Sequence, residues 1–197
     1  MNKIQKHSIP LLGGIFHHVV WTITPRPVWI VGTCNEDGSS NLSTITCVSN
    51  TPGPPENIIV SMTAKRTIAN ILRTGAFSVA LVNVEMAALA DYVGSVSGDD
   101  GAKDAVQYEF VWGKQLRVPV LDASHCVFEC KVSHKHMVGS FHTFFGEVVN
   151  LQIDINLTPP MDSQEAVIKW FQALDIHGLN PLVYHAVRKY YRVGEKI

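Results

Sequence analysis

The chain has 197 residues, 46% of them apolar and 17% charged, and a chain of that length buries roughly 70% of its unfolded surface without needing disulfides or metal. With 16 Lys and Arg against 17 Asp and Glu the net charge is −1, and no basic arm or acidic tail is present, which argues against nucleic acid or anionic lipid as a partner. No run reaches the ~18 apolar residues of a membrane span, and Met1–Ile9 is polar where a signal peptide would be apolar, so a cytoplasmic protein without a membrane partner is expected.

Residues 28–34 (VWIVGTC) form an apolar, β-rich run, and Asp37-Gly38 after it is a strong hairpin signal. The next run, residues 41–49 (NLSTITCVS), alternates, with Leu42, Thr44, Thr46 and Val48 on one side and Ser43, Ile45 and Cys47 on the other. It is richer in small hydroxyl side chains than a strand that only fills a core. Pro52–Pro55 marks a loop, and residues 57–63 (NIIVSMT) are again strand-like. In the following AKRTIANILRTG, Thr67 is the expected N-cap, Ile68, Ile71 and Leu72 form a stripe, and Gly75 is the stop.

Residues 76–82 return to strand, and Asn83 is placed to cap a short helix through Met86, Leu89 and Ala90. Residues 95–105 form a Ser/Gly/Asp loop long enough to be functional. Residues 125–134 and 141–153 read as strands, and Asp162–Glu165 as a capping box that opens a helix bearing Val167, Ile168, Phe171 and Leu174 on one face. Beyond it, Leu182, Tyr184, Tyr190 and Tyr191 make an aromatic segment. Short strands joined by tight turns with small helices inserted predict a mainly β barrel in a single domain over 1–197, with a helical and aromatic segment from about 162. No GxGxxG links a strand to a helix, so a Rossmann dinucleotide site is not expected.

Cys34, Cys47, Cys126 and Cys130 are too scattered for a disulfide framework, and Cys126 and Cys130 lie about 13 Å apart along a strand, beyond the reach of one metal. His17-His18 and His134-Lys135-His136 lack a completing carboxylate or thiol, so no metal site is expected. The informative segment is Ser61 to Asn70. There a strand ends, Lys65 and Arg66 follow, and a helix starts whose N–H groups and dipole favour an anion. A solvated basic turn with an ordinary cap is the competing reading.

The order of these blocks resembles the flavoredoxin branch of the flavin reductase-like family. Pro25-Arg26-Pro27-Val28-Trp29-Ile30-Val31, Asp37-Gly38, Asn41-Leu42-Ser43 and the Ser61–Asn70 segment carry the likeness first. Gly75-Ala76-Phe77-Ser78-Val79, Phe128-Glu129-Cys130-Lys131-Val132 and His142-Thr143-Phe144-Phe145-Gly146-Glu147-Val148 continue it, and Pro181–Tyr184 with Tyr191 end it. The resemblance covers residues 24–195.

It implies an FMN-binding split β-barrel of Greek-key type, a homodimer with the cofactor between subunits, and hydride or electron transfer with NAD(P)H as donor. FMN is expected rather than FAD because no segment looks like an adenosine pocket. By the same resemblance Lys65, Arg66 and Thr67 hold the phosphate, with Ser61 near it or the ribityl chain. Ser43, Thr44, Ile45, Thr46 and Cys47 wall the isoalloxazine, and Trp29 flanks it. His142 matches a histidine beside the flavin and an incoming nicotinamide, although Phe141 stands where relatives carry a polar residue. The family's Asp-Lys pair is reordered as Lys103-Asp104, and neither residue is assigned a role. Two other readings remain, a non-catalytic electron carrier and a flavin-free interaction module.

Overall fold

The computed structural model describes residues 24–97, 103, 106–157, 161–185 and 188–194. The polar start at 1–9, His17-His18, Asp104 and most of the 95–105 loop lie outside them. Strands β1 (Arg26–Pro27), β2 (Trp29–Cys34), β3 (Ser40–Ile45), β4 (Val48–Thr51) and β5 (Asn57–Met62) lead to helix α1 (Lys65–Thr74). Strand β6 (Ala76–Leu81) follows, then a 3-10 turn and helix α2 (Ala87–Ser95). The second half holds β7 (Phe110–Trp112), β8 (Pro119–Leu121) and the long pair β9 (Cys126–Val138) and β10 (Phe141–Ile153). Helices α3 (Gln164–Ala173) and α4 (Ile176–Leu179) precede β11 (Leu182–Tyr184) and β12 (Tyr190–Arg192).

Seven strands make one antiparallel sheet in the order β3-β2-β6-β9-β10-β5-β4. Strands β3 and β4 lie at its opposite edges, yet only Thr46 and Cys47 separate them in the chain. Two residues span no more than about 10 Å, so the sheet must curl until its edges meet. The Ser61 N–H donating to the Cys47 carbonyl at 3.0 Å carries the β4–β5 ladder one residue further, up to that crossing. The expected barrel is present, and its split runs between β3 and the end of β5.

Alternation then sorts the side chains into two cores. Val31, Val60, Phe77, Val79 and Phe144 fill the inside of the curl together with Ile71 of α1. Ile30, Leu42, Ala80 and Val82 face outward and are covered by Ala90 and Val93 of α2, Val120 of β8 and Leu182 of β11. Every residue of β6 is buried because this central strand is covered on both faces.

Three local expectations are corrected. The 41–49 run is two strands rather than one, because its alternation continues while its backbone crosses from one sheet edge to the other. Helix α1 begins at Lys65 with Ala64 as an N-cap that makes no side-chain bond, so Thr67 is not the cap. Thr67 is buried and accepts a hydrogen bond from Asn41 Nδ2 at 3.0 Å instead. In the C-terminal segment, Ser163 rather than Asp162 caps α3 through the Ala166 N–H, and the aromatic stretch forms β11 and β12. There β11 pairs with β1, and the Tyr184 and Tyr190 rings meet at 5.7 Å. The strand expected over 125–134 runs on to Val138, whereas two end signals match: Gly75 ends α1 at φ 68, a left-handed stop suited to glycine, and the Asn83 side chain caps the turn before α2.

Candidate functional site

A cleft of about 490 Å³ opens along the split, within the roughly 300–1,000 Å³ range of small-molecule sites. One wall is the β3 edge and its continuation, Ser43, Thr44, Ile45, Thr46 and Cys47. The facing wall is the end of β5 and the start of α1, including Ser61, Lys65, Arg66 and Thr67. Ten of the eleven residues singled out from sequence lie in the described barrel within these elements or β2, and nine of them line this single cleft. Val93 and Gly94 of α2, Lys103 and Phe141 also line it.

The α1 end is built for an anion. The first N–H groups of any helix have no partner inside it, and here no side chain caps the start and no acid stands in the first turn. Lys65 and Arg66 occupy that turn beside the dipole's positive end. A buried network fixes the geometry behind it. Asn41 Nδ2 donates to Thr33 Oγ1 at 3.1 Å and to Thr67 Oγ1, while Asn70 Nδ2 donates to Thr33 Oγ1 at 3.1 Å and Asn35 Oδ1 at 2.8 Å. These amides lock α1 to the β2–β3 hairpin, so the helix start is held rigidly at the cleft.

The remainder of the wall is small and mostly tied down. Thr44 Oγ1 donates to the Ala90 carbonyl at 2.6 Å, joining β3 to α2. The Ser61 and Thr143 hydroxyls share a hydrogen bond of 2.7 Å across β5 and β10. The Cys47 thiol is half-buried, 3.9 Å from Arg26 Nη1. Burial pushes it above its ordinary value, and the Arg26 charge offsets only part of that. Burial thus disfavours the Cys47 thiolate.

Two of the sequence-derived residues lie elsewhere. Trp29 packs near Phe128, ring centres 6.4 Å apart, in a separate apolar groove with Val48 and Val148. His142 pairs with Met62 across β10 and β5, and its ring stacks on buried Phe144 at 6.1 Å. Its neighbour Phe141 is the one that reaches the cleft, as alternation along β10 requires. Reading the strand as a motif hid this, because a family block does not say which face each residue takes.

Lys103 is a site residue that sequence reasoning passed over: it lines the cleft, and its Nζ donates to the Leu42 carbonyl at 2.6 Å. Asn41 is another: it opens the hydroxyl-rich run and was part of the likeness, but was assigned no role. His134 and His136 sit exposed on β9, and among the described residues no three or more His, Cys, Asp or Glu side chains gather as for a metal. No helix among the described residues is long and apolar enough to cross a membrane.

Comparison with known proteins gives one family model, described as a flavin reductase like domain, matching residues 21–194. No curated protein sequence matches. Among solved structures, the flavoredoxin of Desulfovibrio vulgaris (Miyazaki F) is similar with a TM-score of 0.77 and 24% identity, covering 98% of this chain and 96% of that one. Component B of nitrilotriacetate monooxygenase from Bacillus cereus superposes with a TM-score of 0.81 at 17% identity, covering 99% of each chain. The FMN-binding protein of Thermus thermophilus is similar with a TM-score of 0.72 and 21% identity, covering 100% of this chain and 98% of that one.

Proposed function

The chain belongs to the flavin reductase-like domain family, and we propose that it binds FMN in the split-barrel cleft and acts as an NAD(P)H-dependent reductase. The observation that carries this is the uncapped start of α1, with Lys65 and Arg66 in its first turn, opening onto a cleft of flavin size. Similarity in fold to an FMN-binding protein supports the same cofactor.

Lys65, Arg66 and Thr67 hold the phosphate in this reading, by charge and by the N–H groups of the first turn. Ser61, bonded to Thr143, borders the ribityl chain. The β3 edge from Ser43 to Cys47 forms the wall for the flat ring, since small side chains leave its backbone within reach. Bound there, FMN would supply the redox chemistry of a nicotinamide-dependent reductase. The protein's part is to orient the ring, cover one face and leave the other accessible. Phe141 closes the cleft beside the ring, while His142 lies on the opposite face of β10 against Phe144.

The functional unit in this proposal is a homodimer. Met137 and Val138 at the tip of the β9–β10 hairpin are 59% and 63% exposed, and the groove holding Trp29 is also apolar. A second subunit that covers such surface could bring Trp29 to the flavin. Sedimentation should then give twice the 21.7 kDa chain mass.

The visible spectrum of the purified protein tests the cofactor, with flavin absorbance expected near ~450 nm. Steady-state NADH and NADPH oxidation with free flavin or ferric iron as acceptor tests the enzyme. A flavin-loaded protein that oxidises neither nucleotide would instead be an electron carrier. The aromatic Phe141 in place of a polar side chain at the cleft favours that second reading. A colourless protein that binds no added FMN would overturn both.

A further inference from the structure

A second pocket, of about 310 Å³, adjoins the first cleft at the β3 wall. Thr44, Thr46 and Gly94 line both spaces, so the two meet where β3 and the end of α2 run side by side. A Cβ on Gly94 would stand 3.0 Å from Thr44 Cβ, and glycine there lets the helix end lie close to the strand. The far side of the pocket is aromatic. The β11–β12 ladder pairs Tyr184 directly with Tyr190, their rings meet edge to face at 5.7 Å, and Val28 joins them in the lining.

Size, charge and position each narrow what this pocket takes. Its volume is at the small end of the roughly 300–1,000 Å³ range of ligand sites, which suits a compact ring compound rather than a dinucleotide. Among the described lining residues the charges are Asp91 and Arg188, and they cancel. The Arg188 Nε donates to Asp91 Oδ1 at 2.9 Å, and the Tyr190 hydroxyl adds a bond of 3.0 Å to the same oxygen. A charged ligand would lose its water without gaining a free counter-charge, so a neutral one is favoured. The paired tyrosines favour a flat aromatic or conjugated ring. Thr44 and Thr46 belong to the β3 edge proposed as the wall for the flavin ring, so a ligand in this pocket borders the redox centre. Among neutral flat rings, quinones accept the two electrons that a nicotinamide donates.

We propose that this pocket binds a small neutral quinone, the electron acceptor of the reductase. The inference rests on the flavin reading of the first cleft and deepens it. One NAD(P)H and one solvent proton reduce one quinone. The hydride and the proton bring two electrons and two hydrogens, both carbonyls become the hydroxyls of a hydroquinone, and NAD(P)+ leaves.

Equilibrium dialysis with duroquinone, whose fully methylated ring resists addition of cysteine thiols, tests the pocket apart from turnover. FMN-loaded wild type should retain the quinone, and Tyr184→Leu should weaken it by about fivefold, the worth of one aromatic contact. Tyr184 also packs on the outer core, so a second variant is needed. Ser95 is exposed and lines this pocket but not the first cleft, and the ring of Ser95→Phe would fill the space. That variant should weaken duroquinone at least as much and raise its KM in NAD(P)H oxidation. FMN-loaded protein that retains no duroquinone, or retains it equally in both variants, would overturn the inference. So would an equal loss of FMN and duroquinone in Ser95→Phe, the sign of a collapsed cleft. Protein that takes no FMN yet holds duroquinone through these residues would support the pocket and overturn the flavin reading.

Discussion

Two regions of this molecule aim several hydrogen-bond donors at one point, and they end differently. On the outer side of the sheet, Glu129 of β9 is fully buried and receives three backbone N–H groups, from Lys114, Gln115 and Leu116, at 2.8–2.9 Å. Asn150 Nδ2 and Gln152 Nε2 add bonds of 2.7 and 3.0 Å from β10. Gly113 permits the approach, since a Cβ there would stand 2.5 Å from Glu129 Oε2. At the start of α1 the donors and cations are likewise gathered, but no side chain of the chain supplies the cap. Where the protein provides its own anion the cluster is a structural clasp. Where it does not, the cluster is the place we propose for the flavin phosphate.

The clasp should show the largest effect when broken. Glu129→Ala leaves five donors facing a cavity and should cost about 3 kcal/mol or more in denaturant unfolding, without altering FMN affinity of the folded protein. The same clasp predicts a pH dependence. Burial works to raise the Glu129 carboxyl, but the hydrogen bonds from Asn150, Leu116, Gln115 and Gln152 prevail and hold it at about 2, below its ordinary 4.5. A depressed folded value means the contribution is complete above the unfolded pKa and is lost as pH falls toward about 2. Wild type should therefore lose stability more steeply than Glu129→Gln in that acid window, and parallel curves would show that the carboxylate is not the holder of the 113–116 turn.

Giving α1 an anion of its own converts the binding site toward the clasp. Ala64→Asp supplies a capping carboxylate, which should stabilise the fold by about 0.5–2 kcal/mol. It should also weaken FMN by like-charge repulsion while leaving riboflavin much less affected. A variant that gains stability and keeps full FMN affinity would place the phosphate somewhere other than this helix start.

Smaller effects are expected where a residue belongs to neither region. His142→Ala should change FMN affinity by less than about 0.5 kcal/mol, because its ring stacks on Phe144 and not on the cleft. Phe141→Ala should slow flavin reduction by NAD(P)H more than His142→Ala does. Stopped-flow rates in the reverse order would return His142 to the reacting centre. Cys47 should react with iodoacetamide more slowly at neutral pH than an exposed thiol does, because burial raises it.

The two regions also differ in how far the sequence discloses them. The binding side was legible because its parts are local: Asp37-Gly38 turns the hairpin, Ser43–Cys47 is visibly small and polar, and Lys65-Arg66 directly precedes a helical stripe. What was not legible there is direction. Thr is a better cap than Ala by residue type, yet Thr67 is drawn inward by Asn41 and Ala64 is left at the end. Likewise the 41–49 alternation cannot reveal that the barrel's seam falls at Thr46-Cys47. Glu129 gave no signal in FECKV, which reads as an ordinary strand. Its partners come from 13–15 residues before it and 21–23 residues after it, so only the folded β9–β10 pair and the 113–116 turn bring them together.

The account's central claim is that the uncapped α1 start takes the flavin phosphate. Its most direct test is a parallel fluorescence titration of FMN and riboflavin against wild type and Arg66→Ala. Wild type should bind FMN more tightly than riboflavin, and the substitution should remove about 1–3 kcal/mol of FMN affinity with riboflavin nearly unchanged. Equal binding of the two ligands by wild type, or an equal loss of both in the variant, would contradict it.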